Sequence, residues 1–100
     1  MFEAVEESHT IQWQGLSLRV DYHPAWGGLP RCRVAHLEVI AVPRVPLPIT
    51  ETGYKSLFCP PDQIEDMGGA VAYVEAWLEH AARQPEWREA QVKAAQLSLF

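Results

Sequence analysis

The chain has 100 residues, of which 48% are hydrophobic and 21% are charged, and its formal net charge is −5 at pH 7. This length allows a single domain with a modest core, and the apolar content excludes a largely disordered chain. No apolar run approaches the ~20 residues of a membrane-spanning helix and the eight Lys and Arg residues are scattered, so we expect neither membrane insertion nor direct nucleic-acid binding.

The N-terminal half predicts a small antiparallel β-sheet of about three strands. Apolar and polar residues alternate in residues 11–13 and 16–22, on either side of Gln14-Gly15, which is typical of a β-hairpin. Residues 23–30, rich in Pro and Gly, predict a loop, and residues 33–42, rich in Val, Leu and Ile, predict a third strand. A Pro-rich connection, residues 43–48, then ends the sheet.

The C-terminal half predicts helices that cover this sheet. Asp62 begins an Asp-x-x-Glu pattern at which a short helix can start, and Gly68-Gly69 ends it. Apolar residues at helical spacing follow from Ala70, and Pro85 suits the first turn of a last helix over residues 86–95. The sequence therefore predicts an α+β fold, with one domain over residues 1–95 and a tail over residues 96–100. So small a sheet could leave a helix face uncovered, which would favour a homodimer.

The cysteines and histidines predict no cofactor and no metal site. Cys32 and Cys59 lie far apart, and the residues before them lack a secretory signal, so we expect two reduced thiols in a cytoplasmic protein. The four histidines also lack the close pairwise spacing of a structural zinc site.

The last five residues are Gln96-Leu97-Ser98-Leu99-Phe100. They resemble the pentapeptide Gln-Leu-(Ser/Asp)-Leu-Phe by which bacterial replication and repair proteins bind the DNA sliding clamp. The resemblance implies that Gln96 enters a polar subsite, that Leu97 is a secondary contact, and that Leu99 and Phe100 fill the main pocket. The alternative is that Leu97, Leu99 and Phe100 pack on the chain's own core, since alternating apolar residues also suit an edge strand.

A second segment contains Thr50-Glu51-Thr52-Gly53-Tyr54-Lys55-Ser56. With His36-Leu37-Glu38 before it, it resembles a set of small bacterial proteins of plasmids, phages and integrated elements that share a Thr-Glu-Thr-Gly-Tyr-(Arg/Lys)-Ser core. Leu57 departs from the His expected after Ser56. The residues themselves predict a polar turn that Tyr54 and Phe58 anchor to the core. The possible surface site comprises His36, Glu38, Thr50, Glu51, Thr52, Tyr54, Lys55 and Ser56.

Three functions are compatible with these features. We expect a non-enzymatic accessory protein of a bacterial mobile element, which binds a host protein and docks on the sliding clamp through its last five residues. The alternative is an anti-defence inhibitor of the anti-CRISPR type, which binds a host complex through its folded surface. The third is a small enzyme or ligand-binding domain that uses His36 and residues 50–56, although His36 more often has a structural role beside Glu38. Trp26 is expected to pack over the end of the sheet.

Overall fold

The computed structural model describes residues 6–29 and 31–97, with the backbone alone described at residue 97. Within these residues a single antiparallel sheet is followed by three helices. The strands run in the order β1-β2-β3-β4, and they span Glu7–Trp13, Leu16–Leu29, Cys32–Val42 and Tyr54–Cys59. The helices are α1, Pro61–Glu65, α2, Ala70–Ala82, and α3, Pro85–Leu97. The predicted α+β class, with N-terminal strands and C-terminal helices, is confirmed.

One face of the sheet forms the core with the helices. Alternate residues of β2 and β3 are fully buried, among them Leu18, Val20 and Leu37, and they pack with Ile64 of α1 and Leu78 of α2. Because side chains alternate across a strand, the residues between them point to the opposite face. We call that opposite side the open face; it carries the even-numbered residues of β3 and β4 and the odd-numbered residues of β2 up to His23, where the regular register of β2 ends.

Two segments of the sheet differ from the prediction. β2 continues through the predicted loop to Leu29, with a register shift between His23 and Gly27. A bulge of this kind accommodates Pro24, which cannot donate to a regular ladder. Residues 54–59 form a fourth strand where about three strands were predicted, and the turn before it ends at Gly53, where φ is +79°. Phe58 lies on the open face and is 55% exposed, so its predicted role as a core anchor is wrong.

The helices are attached to the sheet through tryptophans. The Trp13 indole Nε1–H donates a 3.0 Å hydrogen bond to Glu79 Oε1 on α2, and the Trp13 and Trp87 rings lie 6.3 Å apart. From Arg88 to Gln96 every residue of α3 is exposed. α3 continues through Leu97, so Gln96 and Leu97 are helical, whereas Ser98, Leu99 and Phe100 lie outside the described residues.

None of the helices formed by residues 6–29 and 31–97 has both the length and the apolar content needed to cross a bilayer.

Candidate functional site

Four rings gather on the open face near the end of the β2–β3 hairpin. His23 lies directly opposite His36 across β2 and β3, and His36 lies directly opposite Phe58 across β3 and β4. Directly opposed side chains on one face of a sheet are close neighbours. Trp26 joins this row from the irregular part of β2. We call His23, Trp26, His36 and Phe58 the aromatic patch.

His36 lies at the centre of the aromatic patch and contacts the other three rings. Its ring stacks on Phe58 with centroids 4.4 Å apart and planes tilted by 16°, and it lies 4.7 Å from the Trp26 ring. His23 stacks on His36 at 5.9 Å and meets Trp26 edge-on at 5.4 Å. His36 is only 7% exposed, whereas Trp26 and Phe58 are 54% and 55% exposed. The Trp26 and Phe58 rings therefore face solvent while they pack on the buried His36 ring.

Glu38 lies beside the aromatic patch and is held by Tyr54. The Tyr54 hydroxyl donates a 2.5 Å hydrogen bond to Glu38 Oε2, and this bond to the carboxylate raises the pKa of Tyr54. The other carboxylate oxygen, Oε1, lies 3.9 Å from His36 Nδ1, which is too far for a hydrogen bond. Within the described residues His36 Nδ1 is buried without a hydrogen-bond partner. His36 lies beside Glu38, as its expected structural role requires, but this nitrogen donates no hydrogen bond to the carboxylate.

Further along the open face, Asp21 is the centre of a polar network. It is 7% exposed, and it accepts hydrogen bonds from Ser8 Oγ at 2.7 Å and from Arg19 Nε at 3.1 Å. Burial raises the pKa of Asp21, but the hydrogen bonds from Ser8 and Arg19 and the nearby positive charge outweigh burial, so its pKa lies below the usual value. Asp21 is thus an ionised, structural carboxylate of this face.

The structure brings together part of the site predicted from the sequence. His36, Glu38, Tyr54 and Ser56 share the open face, with Ser56 directly opposite Glu38 rather than His36. A serine nucleophile would need a base within hydrogen-bond reach, and the strand register does not pair Ser56 with the histidine.

The remaining predicted residues support the site or point away from it. The Thr50 and Thr52 hydroxyls donate to the backbone carbonyl of Tyr54, at 2.9 and 3.1 Å, and so fix the start of β4. Lys55 lies opposite Val39 on the core side of the sheet, and Glu51 is exposed in the turn. Neither of these two residues joins the aromatic patch.

Sequence analysis missed the remainder of the aromatic patch, which is His23, Trp26 and Phe58. His23 and Trp26 fell in the segment predicted as a loop, and Phe58 was assigned to the core. The alternation from Leu16 through Tyr22 places His23 on the open face, but continued past Pro24 it would place Trp26 on the core side, so it does not predict the position of Trp26.

A cleft of about 650 Å³ borders the aromatic patch at Phe58. Arg31 and Arg33 line one part of it and Asp62 another. Cys59 also lines it but is buried, and burial raises the pKa of its thiol, so Cys59 is a neutral structural cysteine. Two arginines and Phe58 thus line the same cleft.

Comparison with known protein families identifies the domain. The family model described as the KlcB third domain matches residues 6–87. The chain belongs to the KlcB third-domain family. KlcB is a plasmid-associated protein, and the match therefore associates this chain with a mobile genetic element. No curated protein and no solved structure matches the chain.

The matched range contains the whole sheet, α1, α2 and the aromatic patch. It ends at Trp87, in the first turn of α3, so residues 96–100 lie outside the part of the chain that matches the family.

Proposed function

We propose that this chain is a non-enzymatic accessory domain that binds a protein of the host cell through the aromatic patch. The observation that carries the proposal is that Trp26 and Phe58 are each more than half exposed although their rings pack against the buried His36. Aromatic side chains contribute a large share of the binding energy in protein interfaces, and clustered exposed apolar groups mark such surfaces.

The aromatic patch is also preorganised. His36 contacts both exposed rings, and His23 supports Trp26 from the other side. Side chains that are already fixed lose little conformational freedom on binding, so more of the contact energy contributes to affinity. This preorganisation favours a binding surface over a loop that happens to expose a tryptophan.

The charges next to the aromatic patch define the chemistry of the partner. Arg31 and Arg33 are exposed in the cleft that begins at Phe58. We expect the partner to present an apolar side chain to Trp26 and Phe58 and carboxylates to the two arginines, because opposite charges at the rim of an interface favour association. A host defence complex bound in this way would make the domain an inhibitor of the anti-CRISPR type.

The test begins with a photo-cross-linking phenylalanine analogue at position 58, in cells that express the full chain. The control places the same analogue at Val92, an exposed apolar residue of α3. The captured protein is then purified, and its affinity is measured for the wild-type chain and for Trp26→Ala, Phe58→Ala and Val92→Ala.

We expect cross-links at position 58 only, and about 30-fold weaker binding for each of the two patch variants, which corresponds to a loss of about 2 kcal/mol. Val92→Ala should bind as the wild type does. Equal cross-linking at both positions, or patch variants with wild-type affinity, would contradict the proposal.

Docking on the sliding clamp through Gln96–Phe100 is a second candidate. It is favoured by the exposure of α3 from Arg88 to Gln96, because a peptide motif must be accessible to its partner. Calorimetric titration of a bacterial sliding clamp with the full chain and with a chain that ends at Ala95 tests it. Micromolar binding that is lost on truncation, while the melting temperature is retained, supports docking, and binding that is absent or unchanged on truncation contradicts it.

A further inference from the structure

We propose that His23, His36 and Glu38 form a binding site for one Zn²⁺ ion at the edge of the aromatic patch. Each of these residues offers one ligand atom, and the three atoms lie within 4.8 Å of one another. The proposal does not depend on the identity of the protein partner.

One ring nitrogen of His36 is buried and, in the part of the chain that the structure describes, has no partner. The His36 side chain is 9% exposed, and its Nδ1 has no hydrogen-bond partner within the described residues. A buried polar atom without a partner destabilises the fold. The nearest carboxylate oxygen, Glu38 Oε1, lies 3.9 Å away, too far for a hydrogen bond.

The 3.9 Å distance between His36 Nδ1 and Glu38 Oε1 is compatible with two ligands of one metal ion. Ligand atoms lie about 2.0–2.2 Å from Zn²⁺, so two ligands of one ion are separated by roughly 3.3 Å in a tetrahedral site and by at most about 4.4 Å. The His36–Glu38 distance falls within this limit, and small side-chain rotations of His23 would bring the third ligand atom into range. A cation between them would satisfy both His36 Nδ1 and Glu38 Oε1.

Two neighbouring groups, Tyr54 and Glu6, lie against the proposed ligands. Tyr54 donates its hydroxyl hydrogen to Glu38 Oε2, which leaves Oε1 on the side of His36. Glu6 Oε1 lies 3.4 Å from His23 Nε2, where a carboxylate would orient the imidazole. Metal-binding carboxylates and histidines are held in place by such outer hydrogen bonds. The site therefore has both ligands and the groups that orient them.

The ligand set favours Zn²⁺ over Mg²⁺, Ca²⁺ and Cu⁺. Two imidazoles and one carboxylate match the nitrogen and oxygen ligands of Zn²⁺, whereas Mg²⁺ and Ca²⁺ prefer oxygen alone and Cu⁺ prefers sulfur. Three protein ligands leave a fourth position for water or for a side chain of the partner. Zn²⁺ binds the neutral imidazole, so protons compete with the metal and the affinity should be weaker in more acidic solution.

The experiment is calorimetric titration of the full chain with ZnCl₂ at pH 7.5, with Co²⁺ absorption as a spectroscopic readout. His23→Gln and Glu38→Gln remove ligands that are only partly buried, so both variants should fold, and their melting temperatures check this. His9→Gln and His80→Gln are matched controls, because His9 pairs with Glu7 and His80 is exposed on α2.

We expect one Zn²⁺ per chain, at least 10-fold weaker binding for each ligand variant, unchanged binding for the controls, and roughly 10-fold weaker binding for Tyr54→Phe. A second measurement needs no variant: nitrogen-15 spectra of the wild-type imidazoles should show His23 and His36 shifting on addition of Zn²⁺. The proposal is overturned if Zn²⁺ does not bind, if His23→Gln and Glu38→Gln leave the affinity unchanged, or if His9 or His80 shifts instead.

Discussion

Tyr54 and Glu38 are joined diagonally across β3 and β4, where the Tyr54 hydroxyl donates a 2.5 Å hydrogen bond to Glu38 Oε2. The strand register pairs Tyr54 with Ile40 and Glu38 with Ser56, so the contact spans two positions of the ladder. Thr50 and Thr52 fix the backbone of Tyr54. The bond therefore ties the Thr50–Gly53 turn to the carboxylate beside the aromatic patch.

Tyr54→Phe should lower the free energy of unfolding by about 1 kcal/mol at pH 7, because it removes a partly exposed hydrogen bond to a charged group. The pKa of Tyr54 is higher in the folded chain than in the unfolded chain. Its contribution is thus present below pH 10 and is lost as the pH rises through the folded pKa.

Urea denaturation at pH 7 and pH 11 measures the Tyr54→Phe difference. Tyr73→Phe is the control, since the Tyr73 hydroxyl accepts an exposed hydrogen bond from Gln63 and should matter less. A Tyr54→Phe variant as stable as the wild type at pH 7 would show that the bond contributes nothing.

Asp21→Asn should destabilise the fold by about 1–2 kcal/mol at pH 7, because Ser8 and Arg19 both donate to the buried carboxylate. The pKa of Asp21 is lower in the folded chain than its ordinary value near 4. Its stabilising effect is therefore complete above pH 4 and is lost as the pH falls through the folded pKa.

Thermal denaturation of wild type and Asp21→Asn between pH 2 and pH 7 tests this dependence. The two curves should converge at the acid end. Glu75 is an exposed carboxylate of α2, so the melting temperature of Glu75→Gln should follow that of the wild type at every pH. Curves of wild type and Asp21→Asn that stay equally far apart at every pH would be inconsistent with a lowered pKa.

Gly53→Ala should destabilise the fold more than Gly15→Ala. Both glycines have φ +79°, a conformation that costs a non-glycine residue about 1–2 kcal/mol. A Cβ at Gly53 would also lie 2.7 Å from the Val45 carbonyl oxygen, whereas a Cβ at Gly15 meets nothing within 4 Å. Chemical denaturation measures the free energy of unfolding of both variants. Equal losses of stability would mean that the Val45 backbone moves away from the added Cβ at no cost.

Leu78→Ala should cost about 2–5 kcal/mol, because Leu78 of α2 is fully buried against the sheet. Val92→Ala on α3 removes two methyl groups from a side chain that is 53% exposed, and it should change stability by less than about 0.5 kcal/mol. Denaturation curves for the two variants compare a core helix with an exposed one. A small loss for Leu78→Ala would mean that α2 does not cover the core as described.

The regular elements could be predicted because their patterns are local. Alternation around Gln14-Gly15 gives the first hairpin, and helical spacing from Ala70 gives α2, which the structure places within a residue or two. The extension of β2 could not be predicted, because Pro24 and the following glycines are typical of a loop until a neighbouring strand and a bulge accommodate them.

The candidate site was predicted only in part for the same reason. His36 and Glu38 were identified because they lie on a strand with a clear pattern, and Tyr54 because it follows a turn motif. His23 is 13 positions from His36 in the chain and directly opposite it in the sheet, in the last pair of the regular β2–β3 register before the shift between His23 and Gly27. The shift that follows cannot be read from residue spacing, so the position of Trp26 in the aromatic patch could not be predicted.

Nuclear magnetic resonance tests most directly whether the aromatic patch is the binding surface. The nitrogen-15-labelled chain is titrated with the purified partner that cross-linking identifies, and the indole N–H signals of the four tryptophans are followed. Trp26 is exposed on the open face, whereas Trp13 is buried and Trp87 lies in the first turn of α3. A shift of the Trp26 indole, with Trp13 and Trp87 unchanged, is the predicted result. A shift of Trp87 and of residues 96–100, with Trp26 unchanged, would place the interface at the C-terminal end and contradict the proposed function.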